Sequence, residues 1–279
     1  HNPINYRPIS LISAPCKIVE HIIYSHLVRF LEKNYSCETQ LLSLTNDLFC
    51  AADRSSVIDC VFIDFAKAFD TVCHKLLLSK LNSINLDVNI LKWLECFLSN
   101  RTQYVVANGF ISTHCSVTSG VPQGSVLGPL LFLIYINDLP NTLSSTIRLF
   151  ADDCVIYREI LDSADQSALQ SDLNKISTWC DTWLMKLNTN KCKVMRVTRQ
   201  KHNTTACTYI LNHDPLTKVS CYKYLGVYIS DNFSWQTHID HITSDANRMP
   251  GFLRRNFALA LADIKLVLYK TLVQPKLEY

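Results

Sequence analysis

Three aspartates are the residues of this 279-residue sequence best suited to chemistry at a metal ion. Asp64 ends an apolar, β-branched run, and Asp152 and Asp153 lie between two short apolar runs. If these runs are neighbouring strands, the three carboxylates converge and repel one another unless a multivalent cation is bound. Carboxylate oxygens suit Mg²⁺, which binds a few carboxylates together with substrate phosphates. Two such ions about 3.5–4 Å apart can promote in-line phosphoryl transfer.

The hydrophobic pattern predicts the elements that must position these acids. Residues 57–64 (VIDCVFID) show little polar alternation, which is typical of a strand covered on both faces. Residues 146–150 and 154–157 predict a hairpin with the Asp pair at its tip. Periodicity predicts helices over residues 15–33, 38–53, 74–82, 87–98, 130–139 and 163–184, a hairpin at 104–111, and strands near 191–198, 207–211 and 219–229. The order of these elements predicts an α+β fold built on a split βαβ unit with insertions.

Charge is distributed unevenly along the chain, although the formal net charge is only +3. Residues 1–170 hold 12 Lys and Arg against 16 Asp and Glu, and residues 171–279 hold 15 against 8. Residues 182–213 lack acids altogether, and their basic residues are Lys186, Lys191, Lys193, Arg196, Arg199 and Lys201. Such a stripe can follow a nucleic-acid backbone, although a run of charges is usually only a solvated face.

Composition excludes several classes of protein. With 48% hydrophobic and 18% charged residues, the chain is expected to build a folded core. No run of 18 uncharged apolar residues occurs, so no membrane-spanning segment and no membrane partner is predicted. The 12 cysteines show no metal-finger spacing and are expected to be reduced thiols of an intracellular protein. Both ends of the sequence are expected to be cuts through a longer chain.

Six stretches resemble, in order, the motifs of reverse transcriptases in the form used by non-LTR (LINE-type) retrotransposons, jockey-like elements and tick transposons in particular. Phe150-Ala-Asp-Asp resembles motif C, residues 62–70 (FIDFAKAFD) motif A, and residues 120–132 (GVPQGSVLGPLLF) motif B. The other matches are the first fingers motif at residues 5–11, motif D at 187–193 and motif E, the primer grip, at 222–229.

The resemblance implies a right-hand polymerase fold with fingers, a ferredoxin-like palm and a partial thumb. It divides the chain into N-terminal fingers (1–56), a palm strand with motif A (57–70), a fingers insertion (71–118), the palm with motifs B to E (119–230) and the start of the thumb (231–279). RNA template, DNA primer and dNTPs are the implied partners, and protein partners are not indicated. The nucleus and cytoplasm are the expected locations, although no targeting run is visible.

The resemblance also implies the roles of the acids and of one lysine. Asp64, Asp152 and Asp153 match the residues that bind two Mg²⁺ ions, with Mn²⁺ as the alternative, while a primer 3′-hydroxyl attacks the α-phosphate of a dNTP. Lys191 matches a lysine that neutralises or protonates the leaving pyrophosphate. Its alternative is a solvated surface charge.

Four further residues match positions beside the incoming nucleotide. Phe69 matches the aromatic that packs under the sugar and excludes a 2′-hydroxyl by a clash. Gln123 matches a nucleotide contact in motif B, and Gly124 allows a close backbone approach. Arg7 matches a triphosphate contact from the fingers. Without the resemblance, Phe69 would be predicted as ordinary core and Gln123 as part of a turn.

The sequence departs from the family's pattern in the fingers. Family members carry a Gly-Phe-Arg segment that is missing here between Asn34 and Tyr35, and the loss removes an arginine expected to contact the triphosphate. Pro250 is expected to kink or end a thumb helix. Two alternatives to an RNA-directed DNA polymerase therefore remain: a catalytically inactive remnant that at most binds RNA or RNA–DNA duplex, and a repair nuclease. The nuclease lacks a candidate water-activating histidine near the acids.

Overall fold

The computed structural model describes residues 8–28, 37–199 and 208–278. Helices α1–α10 span Ala14–Leu27, Cys37–Asp53, Ala68–Thr71, His74–Ser83, Val88–Leu98, Leu127–Ile136, Ser163–Thr182, Gln236–Asn256, Ala262–Leu272 and Gln274–Leu277. Strands β1–β13 span Val57–Asp64, Thr102–Gln103, Val106–Ala107, Phe110–Ile111, Cys115–Ser116, Thr146–Phe150, Asp153–Ile160, Lys193–Val197, Ile210–Leu211, Asp214–Pro215, Thr217–Lys218, Cys221–Tyr224 and Val227–Ser230. A 3₁₀ helix covers Leu139–Thr142.

A five-stranded sheet in the order β11-β8-β1-β7-β6 forms the centre of the fold. Strand β1 pairs antiparallel with both β7 and β8, β6 pairs antiparallel with β7, and β11 runs parallel to β8. The four strands β1, β6, β7 and β8 thus have the order of a ferredoxin-like split βαβ unit, with helix α6 before β6 and α7 before β8. The α+β prediction is confirmed.

Strand β1 is covered on both faces, as its unbroken apolar run predicts. On one face, Val61 and Ile63 pack into a core that includes α6 and α7. On the other, Ile58, Cys60 and Phe62 pack into a second core formed with α2 and the β12–β13 hairpin. Because both faces are dry, the register of β1 is strongly fixed, and so is the position of the aspartate at its end.

Helix α6 begins earlier than its periodicity predicts. It runs from Leu127 rather than Leu130, because a proline is tolerated in the first turn of a helix. The buried Glu20 carboxylate on α1 accepts hydrogen bonds from the backbone N–H groups of Val126 and Leu127 at 2.8 and 3.1 Å. A negative charge at this end of a helix is favourable, so helix α1 anchors the start of α6.

The expectation of an exposed charge at Arg196 is wrong, and Pro250 does not end its helix. Arg196, placed by its charge in an exposed basic stripe, is buried and forms an ion pair with Asp59 at 2.6 Å. Pro250 neither ends nor interrupts α8, which continues to Asn256. A proline removes a single backbone donor, and the 21-residue helix extends on both sides of it.

None of the helices among the described residues is long and apolar enough to span a lipid bilayer. Every cysteine within the described ranges is a free thiol, as the spacing predicts. The junction between Asn34 and Tyr35, as well as Arg7 and Lys201, lies outside the described residues.

Candidate active site

Two of the three predicted acids lie directly opposite each other at one edge of the sheet. Asp64 is the last residue of β1, and in the antiparallel β1–β7 register it pairs with Asp153, the first residue of β7. Asp152 precedes Asp153 in the tight turn between β6 and β7. Ala151 completes this turn with a φ of 49°, a left-handed conformation that alanine rarely adopts. The structure therefore brings Asp64, Asp152 and Asp153 to the same edge from two distant parts of the chain.

The carboxylates at this edge affect one another electrostatically. The surrounding protein removes part of the hydration of Asp153 and raises its pKa, and the charges of Asp152 and Asp64 raise it further. Burial raises the pKa of Tyr222 to about 12, with added effects from Asp153 and Asp64. Within the described ranges, no group of three or more His, Cys, Asp or Glu side chains is arranged to hold a metal ion. The donors that could bind one here are all hard carboxylate oxygens, the type that suits Mg²⁺.

The segment that resembles motif D holds Asp64 through backbone contacts. The carbonyl oxygen of Asp64 accepts a hydrogen bond from the Asn188 N–H at 2.8 Å, and the Asp64 N–H donates to Cys192 Sγ at 3.4 Å. Lys191 lies between these two residues in sequence, and its Nζ is 3.8 Å from Asp64 Oδ2. The Lys191 side chain is 69% exposed, so the contact leaves its ammonium group accessible to a ligand.

The predicted nucleotide residues of motifs A and B lie in segments that contact each other. The Phe69 ring stacks on Phe132 of α6, with ring centroids 4.5 Å apart. Gln123 Nε2 donates a hydrogen bond to Asp70 Oδ1 at 2.7 Å. Gly124 has a φ of 90° and is exposed, and a Cβ added there would meet nothing closer than the Ser10 carbonyl oxygen at 3.8 Å. The structure therefore links the segments that carry Phe69 and Gln123, since the Val121 N–H also donates to the Phe69 carbonyl at 2.8 Å.

The hairpin that resembles the primer grip is formed by the antiparallel strands β12 and β13. Tyr224 is 2% exposed and packs near Phe62, so its ring belongs to the core rather than to the hairpin tip. Leu225 and Gly226, with φ values of 46° and 89°, form the turn itself. Tyr222 stacks on Phe62 with ring centroids 3.9 Å apart, and the two-residue spacing on β12 places Tyr222 and Tyr224 on the same face, where both rings contact Phe62.

Comparison with known proteins gives the chain its family. The profile described as reverse transcriptase (RNA-dependent DNA polymerase) matches residues 1–229. The probable RNA-directed DNA polymerase from transposon X-element of Drosophila melanogaster is 29% identical over 300 residues, which cover 99% of this chain and 33% of that protein. The RNA-directed DNA polymerase from mobile element jockey of Drosophila funebris is 29% identical over 303 residues, covering 99% of this chain and 32% of that protein. This chain thus spans about a third of the length of these curated relatives.

Solved structures support the same assignment at the level of the fold. Apo telomerase from Candida tropicalis, truncated from its C-terminal domain, has a TM-score of 0.53 and 13% identity, covering 79% of this chain and 44% of that one. The predicted right-hand polymerase fold and the resemblance to jockey-like, non-LTR elements are both confirmed. The chain therefore belongs to the reverse transcriptase (RNA-dependent DNA polymerase) family.

Proposed function

We propose that this chain is the polymerase core of a non-LTR retrotransposon protein and adds dNTPs to a DNA primer on an RNA template. The observation that supports this most is the register of β1 and β7, which sets Asp64 opposite Asp153 with Asp152 in the adjoining turn. The fold and family are those of reverse transcriptases. The relatives are named RNA-directed DNA polymerases, and we propose the same activity for this segment.

Asp64, Asp152 and Asp153 are proposed to hold two divalent cations, Mg²⁺ in the first instance and Mn²⁺ as the alternative. When bound, such ions neutralise phosphate charge and lower the pKa of the primer 3′-hydroxyl. The raised pKa of Asp153 supports this assignment, because like charges crowded at one edge are stabilised by a cation. The β1–β7 register sets the backbones of Asp64 and Asp153 opposite each other, and a bound cation would draw the carboxylates together.

The remaining residues are proposed to bind and orient the nucleotide. Lys191, 3.8 Å from Asp64, is placed to neutralise or protonate the departing pyrophosphate. Phe69 is backed by Phe132, so the ring cannot retreat from a 2′-hydroxyl and would favour deoxy substrates. Gln123 and Gly124 would contact the base pair and sugar of the incoming nucleotide. Arg7 remains a proposed triphosphate contact on the resemblance alone.

The division into fingers, palm and thumb remains part of this proposal. The sheet formed by β1, β6, β7 and β8 supports a palm that includes residues 57–70 and 119–230. Exposed lysines at positions 186 and 191 support contact with a nucleic-acid backbone, whereas the buried Arg196 does not contribute. A protein with these partners would act in the nucleus or the cytoplasm.

Primer extension on poly(rA)/oligo(dT) with Mg²⁺ tests the proposed function. The wild-type chain should incorporate dTTP, and Asp152→Asn should reduce incorporation at least a thousandfold while preserving the shape of the turn. Asp181→Asn, at an exposed acid on α7, is the matched control and should retain activity. Duplex binding by the wild type without Asp152-dependent incorporation would contradict the proposal and favour the inactive remnant.

A further inference from the structure

Asp70 is the last residue of motif A and contacts motif B. It is not one of the three proposed metal ligands, so the metal site gives it no role. It immediately follows Phe69 in helix α3, and its carboxylate accepts the hydrogen bond from Gln123 Nε2 at 2.7 Å. Both side chains are half-buried. A hydrogen bond to an ionised acceptor in such surroundings is stronger than one between neutral groups.

The chemistry of the pair fixes the orientation of the Gln123 amide. A carboxylate only accepts hydrogen bonds, so the amide nitrogen must face Asp70. The amide oxygen and the second N–H are then directed away from the carboxylate. If Asp70 were absent, the amide could rotate by 180° and exchange its donor and acceptor positions at little cost. The Asp70 carboxylate therefore selects one of the two orientations of the Gln123 side-chain amide.

The loop around Gln123 is held independently of this carboxylate. The Gly120 N–H donates to the Val72 carbonyl and the Val121 N–H to the Phe69 carbonyl, both at 2.8 Å. His74 Nε2 lies 2.8 Å from the Gly120 carbonyl oxygen, and because that oxygen can only accept, Nε2 carries the proton. Removing the Asp70 carboxylate should therefore free the amide while leaving the loop in place.

Close packing keeps the two motifs in a fixed relation. Gly120 has a φ of 89°, and a Cβ at this position would lie 2.8 Å from the Asp70 Cα and carbonyl oxygen. Ser119 Oγ also donates to the Asp70 carbonyl at 2.9 Å. The backbone of Asp70 thus contacts the start of the motif B loop, while its side chain reaches Gln123 further along.

We propose that Asp70 is a positioning residue that orients Gln123 for the incoming dNTP and so sets nucleotide affinity, through the hydrogen bond between its Oδ1 and Gln123 Nε2. The inference rests on the proposed function for the identity of the ligand. It assigns Asp70 no contact with substrate or metal. If the proposal holds, substitution of Asp70 weakens dNTP binding only when Gln123 is present.

The test measures dNTP binding without catalysis. The full chain is bound in Mg²⁺ to an RNA template with a dideoxy-terminated DNA primer, which cannot be extended. Heparin is then added to trap any protein that dissociates. The quantity measured is the concentration of the next complementary dNTP at which half of the complex is protected. Asp70→Ala should raise this concentration about tenfold, the scale of one hydrogen bond to a charged group. Asp70→Asn should raise it less, because its side-chain oxygen still accepts.

The dependence on Gln123 is tested by a double-mutant cycle. Gln123→Ala should weaken dNTP binding as much as Asp70→Ala, and the double variant should be no weaker than Gln123→Ala alone. Ser119→Ala is the matched control, because it removes a neighbouring bond to Asp70 without touching the carboxylate, and it should change binding less than twofold. Thermal unfolding midpoints of all variants should stay within a few degrees of the wild type.

Each outcome decides the proposal. An Asp70→Ala effect no larger than that of Ser119→Ala, or losses that multiply in the double variant, would overturn it, as would a wild-type complex that no dNTP protects. If dNTP protects the complex with the predicted pattern but Asp152-dependent incorporation is absent, the positioning role stands and the proposed activity fails.

Discussion

The central sheet and the C-terminal helices of this chain are built in opposite ways. Seven of the eight residues of β1 are buried, and apolar cores cover both of its faces. Helix α8 buries Ala246 alone, and within α9, which is described throughout, no residue is buried. Large apolar side chains of α9 remain exposed, among them Leu266 at 52% and Val267 at 59%.

The difference shows which part of the molecule fixes the candidate active site. Asp64 and Asp153 are held by β-ladder hydrogen bonds between β1, which is buried except at Asp64, and β7, which buries residues 154–157. The Asp70–Gln123 pair is held by contacts between α3 and the loop before α6. The helices after residue 235 provide none of these contacts. The geometry of the site should therefore depend on substitutions in the sheet and be insensitive to substitutions in α8 and α9.

The largest loss of stability is expected at the buried ion pair between β1 and β8. The Arg196 guanidinium donates two hydrogen bonds of 2.6 Å to the Asp59 carboxylate, and the Tyr209 hydroxyl donates a third at 2.6 Å. Asp59→Ala should lower the free energy of unfolding by about 3–5 kcal/mol, because it removes both carboxylate contacts of a buried guanidinium. Chemical denaturation measures this. Asp53→Ala, which breaks an exposed pair with Arg199, should cost about 0–1 kcal/mol. Equal losses would contradict the account.

A pair of leucine truncations tests the contrast directly. Leu127 on α6 is fully buried, and Leu127→Ala should cost about 2–5 kcal/mol because a cavity remains. Leu266→Ala on α9 should cost less than about 0.5 kcal/mol, because the side chain is already half in water. Denaturation midpoints with unchanged m-values check both. A loss at Leu266 as large as that at Leu127 would show that the helical tail is buried in solution.

A smaller, pH-dependent effect is expected where α7 meets residues 144 and 145. Burial by itself would raise the pKa of Asp172, but hydrogen bonds from Lys175, Ser145 and Ser144 lower it well below the ordinary carboxyl value. A depressed folded-state pKa stabilises the protein above the unfolded carboxyl pKa of about 3.9, and this stability is lost as the pH falls below it.

Asp172→Asn should therefore cost about 1–3 kcal/mol at pH 7 and make the loss of stability between pH 5 and pH 2 shallower. Urea unfolding at several pH values is the measurement. Asp263→Asn, at an exposed acid on α9, is the comparison and should leave the acid slope unchanged. An Asp172→Asn profile parallel to that of the wild type would contradict the assignment.

Much of the site could be predicted because its signals are local. The apolar run ending at Asp64 and the turn at Asp152 predict the strand and hairpin that the structure contains. Partners distant in sequence could not be predicted in this way. The sequence predicts Arg196 as a surface charge, and only the β1–β8 register shows that it lies opposite Asp59. Likewise, no residue near Asp70 in sequence indicates its hydrogen bond with Gln123. Charge and turn patterns describe single segments, whereas these contacts depend on register and packing.

The central claim is that acids from β1 and from the β6–β7 turn act together in RNA-templated DNA synthesis. Single-turnover incorporation of one dNTP on an RNA template tests it, with Asp64→Asn compared with Asp153→Asn in Mg²⁺. Because the two residues pair across the ladder, each substitution should reduce the rate at least a thousandfold while the duplex remains bound. An Asp64→Asn variant that incorporates dNTP at the wild-type rate would contradict the account.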